Sequence, residues 1–152
     1  MTDIEKVLEY LKGGSKGKFV LLGADLRGAN LKGADLKGAN LSSSNFINAN
    51  LSNANLNRAN LMNADFTNAN LSNVKLFNAN VSDANLNNVN LSDSILISVR
   101  LNNANLRNAN LIDADLSNAF LINTDLTNAN LTNAITDSII FTGDAQEDIE
   151  SD

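Results

Sequence analysis

The chain has 152 residues, a net charge of −6 and 43% hydrophobic residues, which is the size and composition of one globular domain. It contains no Cys, His, Trp or Pro, so disulfide bonds, Cys/His zinc sites and histidine-dependent acid–base chemistry are excluded. The N-terminal segment is amphipathic and acidic and does not resemble a signal peptide, and no apolar run is long enough to span a membrane. We therefore expect a soluble, cytoplasmic protein that binds no membrane.

The first predicted element is an amphipathic helix within residues 1–18. Its apolar residues have i, i+3, i+4, i+7 spacing: Ile4, Val7, Leu8 and Leu11. Thr2 and Glu5 have the spacing of a capping box, and Gly13-Gly14 ends the helix. We interpret residues 1–18 as a cap helix and connector that cover the first coil of the repeat described next. A helix lying on a membrane is the alternative, but the acids on its polar face disfavour anionic lipid.

A five-residue period runs through residues 19–142. From Leu21 to Leu131 every fifth residue is large and apolar, and nearly all are Leu. A small residue, mostly Ala, stands two positions before it, and Asn or Asp usually stands one position before it. Gly, Ser, Asn or Asp stands two positions after it, with Arg58 as the exception. This is an internal repeat, and it defines the main domain.

Neither regular secondary structure fits a period of five. An α-helix would spread the leucines around every face, and a flat strand would point alternate leucines to opposite faces. The period is satisfied if four residues alternate inward and outward and the fifth turns the chain. The chain then winds around a Leu/Ala interior as a solenoid whose coils pair at about 4.8 Å, like strands. Spacing alone leaves three or four corners per coil open.

The units ADLRG, ANLKG, ADLKG, ANLSN and ADLSN resemble the tandem A(D/N)LXX motif of the pentapeptide-repeat family over residues 19–142. The resemblance implies an all-β solenoid, namely a right-handed quadrilateral β-helix with about six coils and the N-terminal helix as its cap. With about twenty residues per coil, Phe46 and Phe66 become neighbours in one inward column. We therefore expect their rings to stack.

The C-terminal end loses the motif and gains negative charge. Six acids and no base lie between Asp137 and Asp152, whereas the body from residue 38 to 136 is nearly neutral. We expect residues 143–152 to be a disordered acidic tail, which either keeps the protein soluble or orients it toward a partner. The apolar stretch from Ile135 to Phe141 either folds over the last coil or pairs with a second molecule. Because end-to-end pairing would bring like charges together, we expect a monomer rather than a C-terminal dimer.

A filled interior leaves only the outer surface for function. Apolar residues replace the usual polar residue at several outward positions, and we predict that six of them form a partner surface: Phe77, Ile95, Ile97, Phe120, Ile122 and Ile140. They fall on two neighbouring faces toward the C-terminal half, where they would suit an unidentified protein partner. The alternative is that they are scattered surface residues without a role.

Three carboxylates raise the question of a cation site. Asp93 and Asp113 are predicted to stack at corners with Asp115 nearby, and three carboxylates suit a hard cation such as Ca²⁺. Aspartate is also a common turn residue, and we prefer that interpretation. We predict no metal, no cofactor and no catalytic residues.

The sequence favours a non-enzymatic structural or protein–protein interaction module, with no direct binding of nucleic acid. The alternative implied by the resemblance is a DNA-mimicking binder of a type II topoisomerase, gyrase. Such mimicry needs a rod with phosphate-like negative charge along its sides. The neutral body and the uninterrupted repeats weigh against it.

Overall fold

The computed structural model describes residues 1–14, 17–142 and 149. Helix α1 spans Asp3–Lys12, and two short strands follow near the C-terminus, β1 at Phe120–Ile122 and β2 at Ile140–Thr142. The strands pair in parallel, with Phe120 opposite Ile140. Among the described residues no helix is long and apolar enough to cross a membrane.

Each five-residue unit ends in a tight turn. In one unit the N–H of Ala29 donates to the carbonyl of Leu26 at 3.1 Å, and Gly28 between them has a φ of 64°. A positive φ recurs at every fifth residue from Gly23 to Ser138, and a turn whose third residue alone has positive φ is of type II. The prediction that Gly, Asn, Asp and Ser form the corners is confirmed.

Pairing between coils has a register of twenty residues. Val20 pairs with Asn40, and parallel pairs at the same separation continue along four series. The series begin at Val20, Asp25, Asn30 and Asp35. Backbone bonds hold neighbouring coils together; for example, Leu31 N–H donates to Asn50 O at 2.7 Å. Four pentapeptides therefore complete one coil, and the three-cornered alternative is wrong.

The two inward residues of each unit fill the interior. Leucine and alanine positions from Ala24 to Leu131 form one continuous core, as predicted, and all but the partly buried Ala129 are buried. The rings of Phe46 and Phe66 stack in this core, which confirms that prediction too. Three polar residues replace Ala inside: Ser44, Ser94 and Thr124.

Helix α1 packs on the first coil. Its capping box is confirmed, since the Glu5 N–H donates to Thr2 Oγ1 and the Thr2 N–H donates to Glu5 Oε2. Val7 is fully buried in the same core as the leucines. Asp3 Oδ2 also accepts a bond from the N–H of Asp25, at 3.0 Å. Because a first coil has no preceding coil, this bond satisfies a backbone donor at the edge of the solenoid.

The C-terminal end contains both half-buried and exposed apolar residues. Ile139 and Phe141 are half-buried against the core, whereas Ile135 and Ile140 are 47% and 48% exposed. Ile149 is helical, half-buried and packed against the same core. The rest of the predicted acidic tail, residues 143–148 and 150–152, lies outside the described residues.

Candidate interaction surface

The twenty-residue register stacks outward side chains into columns. We define the Phe77 edge as residues 35–40 and the segments at twenty-residue intervals after it: 55–60, 75–80, 95–100, 115–120 and 135–140. Each segment contains one corner and the outward positions on both sides of it. Successive segments lie about 4.8 Å apart. The Phe77 edge is therefore one continuous strip parallel to the axis of the solenoid.

The structure brings five of the six predicted site residues together on this edge. Phe77 and Ile97 occupy the same position on successive coils, and the N–H of Asn78 donates to the carbonyl of Ile97 at 3.1 Å. Phe120 pairs with Ile140 around the same corner. Ile95 lies beside Ile97, and its side chain is 39% exposed. Phe77, Ile97 and Phe120 are half-buried.

Ile122 is the member that the structure places elsewhere. It lies two residues beyond Phe120 in β1, toward the next corner, and is half-buried. Its column neighbours are Asn102, whose side-chain oxygen accepts from the Ile122 N–H at 3.1 Å, and Thr142. Ile122 therefore stands among polar groups at the border of the surface rather than on the Phe77 edge.

A shallow groove runs along the corner of the edge. Its volume is about 530 Å³, and it is lined by Asn78, Asn80, Ser98, Arg100 and Phe120. The groove combines an aromatic ring, a guanidinium group and amide side chains, so it can contact both apolar and charged groups of a ligand.

Three basic residues in the central segments of the edge were missed as site residues by the sequence reasoning. Arg58, Lys75 and Arg100 lie in the central segments 55–60, 75–80 and 95–100, which contain no acid. All three are exposed. The signal that reveals them is the twenty-residue register, because it brings charges that are far apart in sequence onto one strip.

Two other arginines are neutralised by carboxylates on other parts of the surface. Arg27 Nη2 lies 2.7 Å from Asp25 Oδ2, and hydrogen bonds from this guanidinium lower the pKa of Asp25. Arg107 Nη1 lies 3.2 Å from Asp125 Oδ2. The pKa of Asp125 is lowered mainly by the Thr127 hydroxyl and further by Arg107. These pairs have little net charge to offer a partner.

The three aspartates considered as cation ligands are turn residues in the structure. Asp93 and Asp113 stand at corners with φ of 57° and 56°. Asp115 Oδ1 accepts from the backbone N–H of Ser117 at 3.0 Å. Within residues 1–14, 17–142 and 149, no group of three or more acids is placed to hold a metal ion.

Asparagine side chains connect the coils on outward columns both on the Phe77 edge and away from it. Asn60 Nδ2 donates to Asn40 Oδ1 at 3.1 Å, and Asn110 Nδ2 donates to Asn90 Oδ1 at 3.1 Å. The same oxygens accept from the backbone two residues on, as in Ser42 N–H to Asn40. These amides are occupied by bonds within the solenoid, which gives them a structural role.

Comparison with known families agrees with this geometry. The family profile described as pentapeptide repeats (8 copies) matches residues 18–42, 44–83, 75–111 and 109–135. The chain belongs to the pentapeptide repeat family. Pentapeptide repeat proteins form right-handed quadrilateral β-helices, and the four series of pairs described above are those of such a helix.

Two solved pentapeptide repeat proteins from cyanobacteria resemble the whole fold. One is HetL, involved in heterocyst differentiation regulation in Nostoc sp. strain PCC 7120, with 28% identity and a TM-score of 0.61. The match covers 83% of this chain and 54% of HetL, so the chain spans about half the length of HetL. The other is Rfr23 from Cyanothece 51142, with 28% identity, a TM-score of 0.54 and coverage of 91% and 95% of the two chains.

A third similar structure is QnrB1, a plasmid-mediated fluoroquinolone resistance protein. It shares 17% identity with this pentapeptide repeat protein at a TM-score of 0.39, over 88% of this chain and 87% of QnrB1. No curated protein matches the chain. The comparisons identify a structural family and no catalytic one.

Proposed function

We propose that this protein is a non-enzymatic interaction module that binds a partner protein through the Phe77 edge. The observation that carries the proposal is the alignment of five of the predicted apolar residues, together with Ile135, on one strip, whereas most outward positions of the repeat are polar. Water contact with such a strip costs free energy that a partner would recover by covering it. The side chains of the core fill the interior, so the outer surface is what remains for binding.

Two features of the ends support this use of the side surface. We propose that α1 is a lid, because it buries Val7 in the core and because Asp3 accepts a hydrogen bond from the Asp25 N–H, which has no preceding coil as a partner. The register from Val20 to Ile140, in steps of twenty, supports a rod of about six coils. A closed N-terminal end and a long rod make lateral binding the available mode.

We also propose that the protein is a monomer in solution. The acids between Asp137 and Asp152 would lie close together in an end-to-end dimer. Ile149 packs on the core near Leu131 and Ala134, where it covers part of the C-terminal end. Size-exclusion chromatography with light scattering measures the mass directly, and a dimeric mass would contradict this proposal.

Affinity capture with matched variants tests the proposed surface. The edge variant carries Phe77→Ser, Ile97→Ser and Phe120→Ser. The control carries Ile47→Ser, Met62→Ser and Ile112→Ser, which are also outward and half-buried but lie on other columns. We expect both variants to keep the circular dichroism spectrum of the wild type, and only the edge variant to lose captured proteins. Equal capture by the two variants would contradict the proposal.

Mimicry of DNA toward gyrase ranks second. A mimic needs carboxylates repeated along its side, yet among the described residues only Asp93 and Asp113 place acids in one column on consecutive coils. The Phe77 edge carries basic residues instead. A supercoiling assay with gyrase decides between the two, and inhibition at stoichiometric protein would reverse this ranking.

A further inference from the structure

We infer that the Phe77 edge recognises an acidic segment of a partner protein that also carries apolar side chains. The inference rests on the proposed function, since it assigns the chemistry of the partner that binds the same edge. Its basis is the way in which the basic and apolar residues of the edge are interleaved.

Each of the three basic residues lies one coil before an apolar residue of the edge. The backbone N–H of Arg58 donates to the carbonyl of Phe77 at 2.8 Å. Lys75 pairs with Ile95, and Arg100 pairs with Phe120. Neighbouring coils are about 4.8 Å apart. A carboxylate of a ligand can therefore contact the basic residue of a pair while an adjacent apolar side chain of the ligand contacts the apolar residue. Lys75 and Arg100 are in register with their apolar partners, whereas Arg58 lies diagonally beside Phe77.

Arg58 has a backbone conformation that is unfavourable for arginine. Its φ is 61°, and every other non-glycine residue with positive φ in the described part of the chain is Asn, Asp or Ser. Those residue types tolerate the left-handed conformation better than arginine does. Arginine at this corner therefore lowers stability, while it places a cation beside Phe77. A local departure that favours binding over stability is typical of a functional site.

The charges of the edge are available to a ligand. Arg27 and Arg107 each form an ion pair, whereas among the residues described Arg58, Lys75 and Arg100 form none. Asp35 and Asp115 lie in neighbouring segments of the edge, where Asp35 accepts from Asn55 Nδ2 at 3.0 Å and Asp115 accepts from the Ser117 N–H, and among the described residues neither forms an ion pair with the three cations. Incoming carboxylates therefore have no internal competitor on the central segments.

A nucleic acid is the other anionic ligand, and the edge suits it less well. Binding to nucleic acid depends on many phosphate contacts, whereas the central segments offer three cations on a chain with a net charge of −6. The aliphatic residues Ile95, Ile97 and Ile140 match apolar side chains of a protein rather than bases. Charge complementarity and apolar matching together favour an acidic protein segment.

Selection from a library of short random peptides displayed on phage tests the inference on the full chain. We expect the selected peptides to be enriched in Asp and Glu next to Leu, Ile or Phe. The best peptide, labelled with fluorescein, is then titrated by anisotropy at low and high NaCl. We expect weaker binding at high salt, because exposed charges are screened.

A charge-neutralising variant and a matched control give the deciding comparison. The edge variant carries Arg58→Asn, Lys75→Gln and Arg100→Gln, in which asparagine restores the usual corner residue and so preserves folding. The control carries Arg27→Gln, Lys32→Gln and Arg107→Gln, which also removes three positive charges but away from the edge. We expect affinity to fall about tenfold in the edge variant, as for three exposed ion pairs, and less than twofold in the control.

The outcomes separate this inference from the proposed function. Peptides without excess acid that lose binding to the Phe77→Ser, Ile97→Ser, Phe120→Ser variant would overturn the inference and leave the proposed function standing. Equal binding to all variants would overturn both. A selection without binders overturns the inference and leaves affinity capture to decide the function. Tighter binding of labelled single-stranded DNA than of the best peptide would overturn it in favour of nucleic acid.

Discussion

The rings of Phe46 and Phe66 lie parallel inside the helix, with 4.7 Å between their centroids and 4° between their planes. The two residues occupy one inward column, one coil apart, and both are fully buried. Their centroid separation equals the spacing of about 4.8 Å between strand-like coils. The coil register therefore sets the stacking, and the rings adopt the separation that the backbone imposes.

A double-mutant cycle on this pair measures the stacking. Phe46→Leu and Phe66→Leu each match the leucines that fill the rest of the column, so both variants should fold. We expect the double variant to cost less than the sum of the single variants, with a coupling energy of about 0.5–1.5 kcal/mol. Urea unfolding followed by circular dichroism gives the three free energies. Costs that add within about 0.3 kcal/mol would show that the rings act as independent fillers.

The core assignment predicts a large effect at Leu76, which is 3% exposed. Leu76→Asp buries an unpaired carboxylate and removes apolar contact, so we expect a loss of several kcal/mol and unfolding of at least the neighbouring coils. Leu22→Asp is the control, because Leu22 is 60% exposed and should change stability by less than about 0.5 kcal/mol. Unchanged melting of the Leu76 variant would refute the core assignment.

The fold was largely predictable because the five-residue period carries it. Leu26 is typical of an inward position, Asn30 of an outward position and Gly28 of a corner, and the same residue types recur at these positions along the chain. What the period does not state is how many units close a coil. Since three and four corners satisfy the same local pattern, the number entered through the resemblance to a family, and the register of Val20 with Asn40 then established it.

The candidate surface was only half predictable for a related reason. Phe77 and Ile97 could be identified because each breaks the polar pattern at its own position. Lys75 and Arg100 are ordinary polar residues locally, and their meaning depends on which coil lies next to them. Arg58 departs from the corner pattern, but that departure alone does not show that Phe77 lies beside it. The contact of Asp3 with Asp25 joins the helix to the repeat. The two segments have different periods, so neither period predicts this contact.

The corners predict a clear order of tolerance at Asn73, which is exposed and has a φ of 57°. Asn73→Val places a β-branched residue in the left-handed region, so we expect a loss of about 1–2 kcal/mol. Asn73→Gly removes that steric penalty and should stay within about 0.5 kcal/mol of the wild type. Thermal unfolding of the two variants checks the order, which the reverse result would contradict.

The contact between α1 and the first coil predicts a dependence on pH through Asp3. Hydrogen bonds from the Lys6 ammonium and from the Asp25 N–H lower the pKa of Asp3 below its ordinary value of 3.8. A lowered pKa in the folded state means that the ionised carboxylate stabilises the fold above the unfolded pKa. This contribution is lost as the pH falls below 3.8 through the folded pKa.

Asp3→Asn tests this dependence when it is compared with the wild type at each pH. We expect the variant to be less stable at pH 7 and the difference to shrink at acid pH, as Asp3 becomes protonated in the wild type. Glu9→Gln is the control, because Glu9 and Lys12 lie 3.7 Å apart on the exposed side of α1 and should matter little. A difference that is constant with pH would mean that the carboxylate of Asp3 does not stabilise the first coil.

The interior contains one hydroxyl whose removal should stabilise the protein. Ser94 Oγ is buried and, among the described residues, has no hydrogen-bond partner; Val74 and Ala114 occupy the same inward column on the adjacent coils. An unsatisfied buried polar group costs about 1–3 kcal/mol, and alanine is the usual residue at this position of the repeat. We therefore expect Ser94→Ala to raise the free energy of unfolding by about 1 kcal/mol.

Ser44→Ala provides the opposite expectation for the same chemical change. Ser44 Oγ accepts a hydrogen bond from the Ala24 N–H at 3.1 Å and donates one to the carbonyl of Leu21 at 3.4 Å. Removing that hydroxyl leaves a buried backbone donor unpaired, so this variant should lose about 1 kcal/mol. Urea denaturation of the two variants gives the comparison. If both changes shift stability in the same direction, side-chain volume rather than hydrogen bonding governs these inward positions.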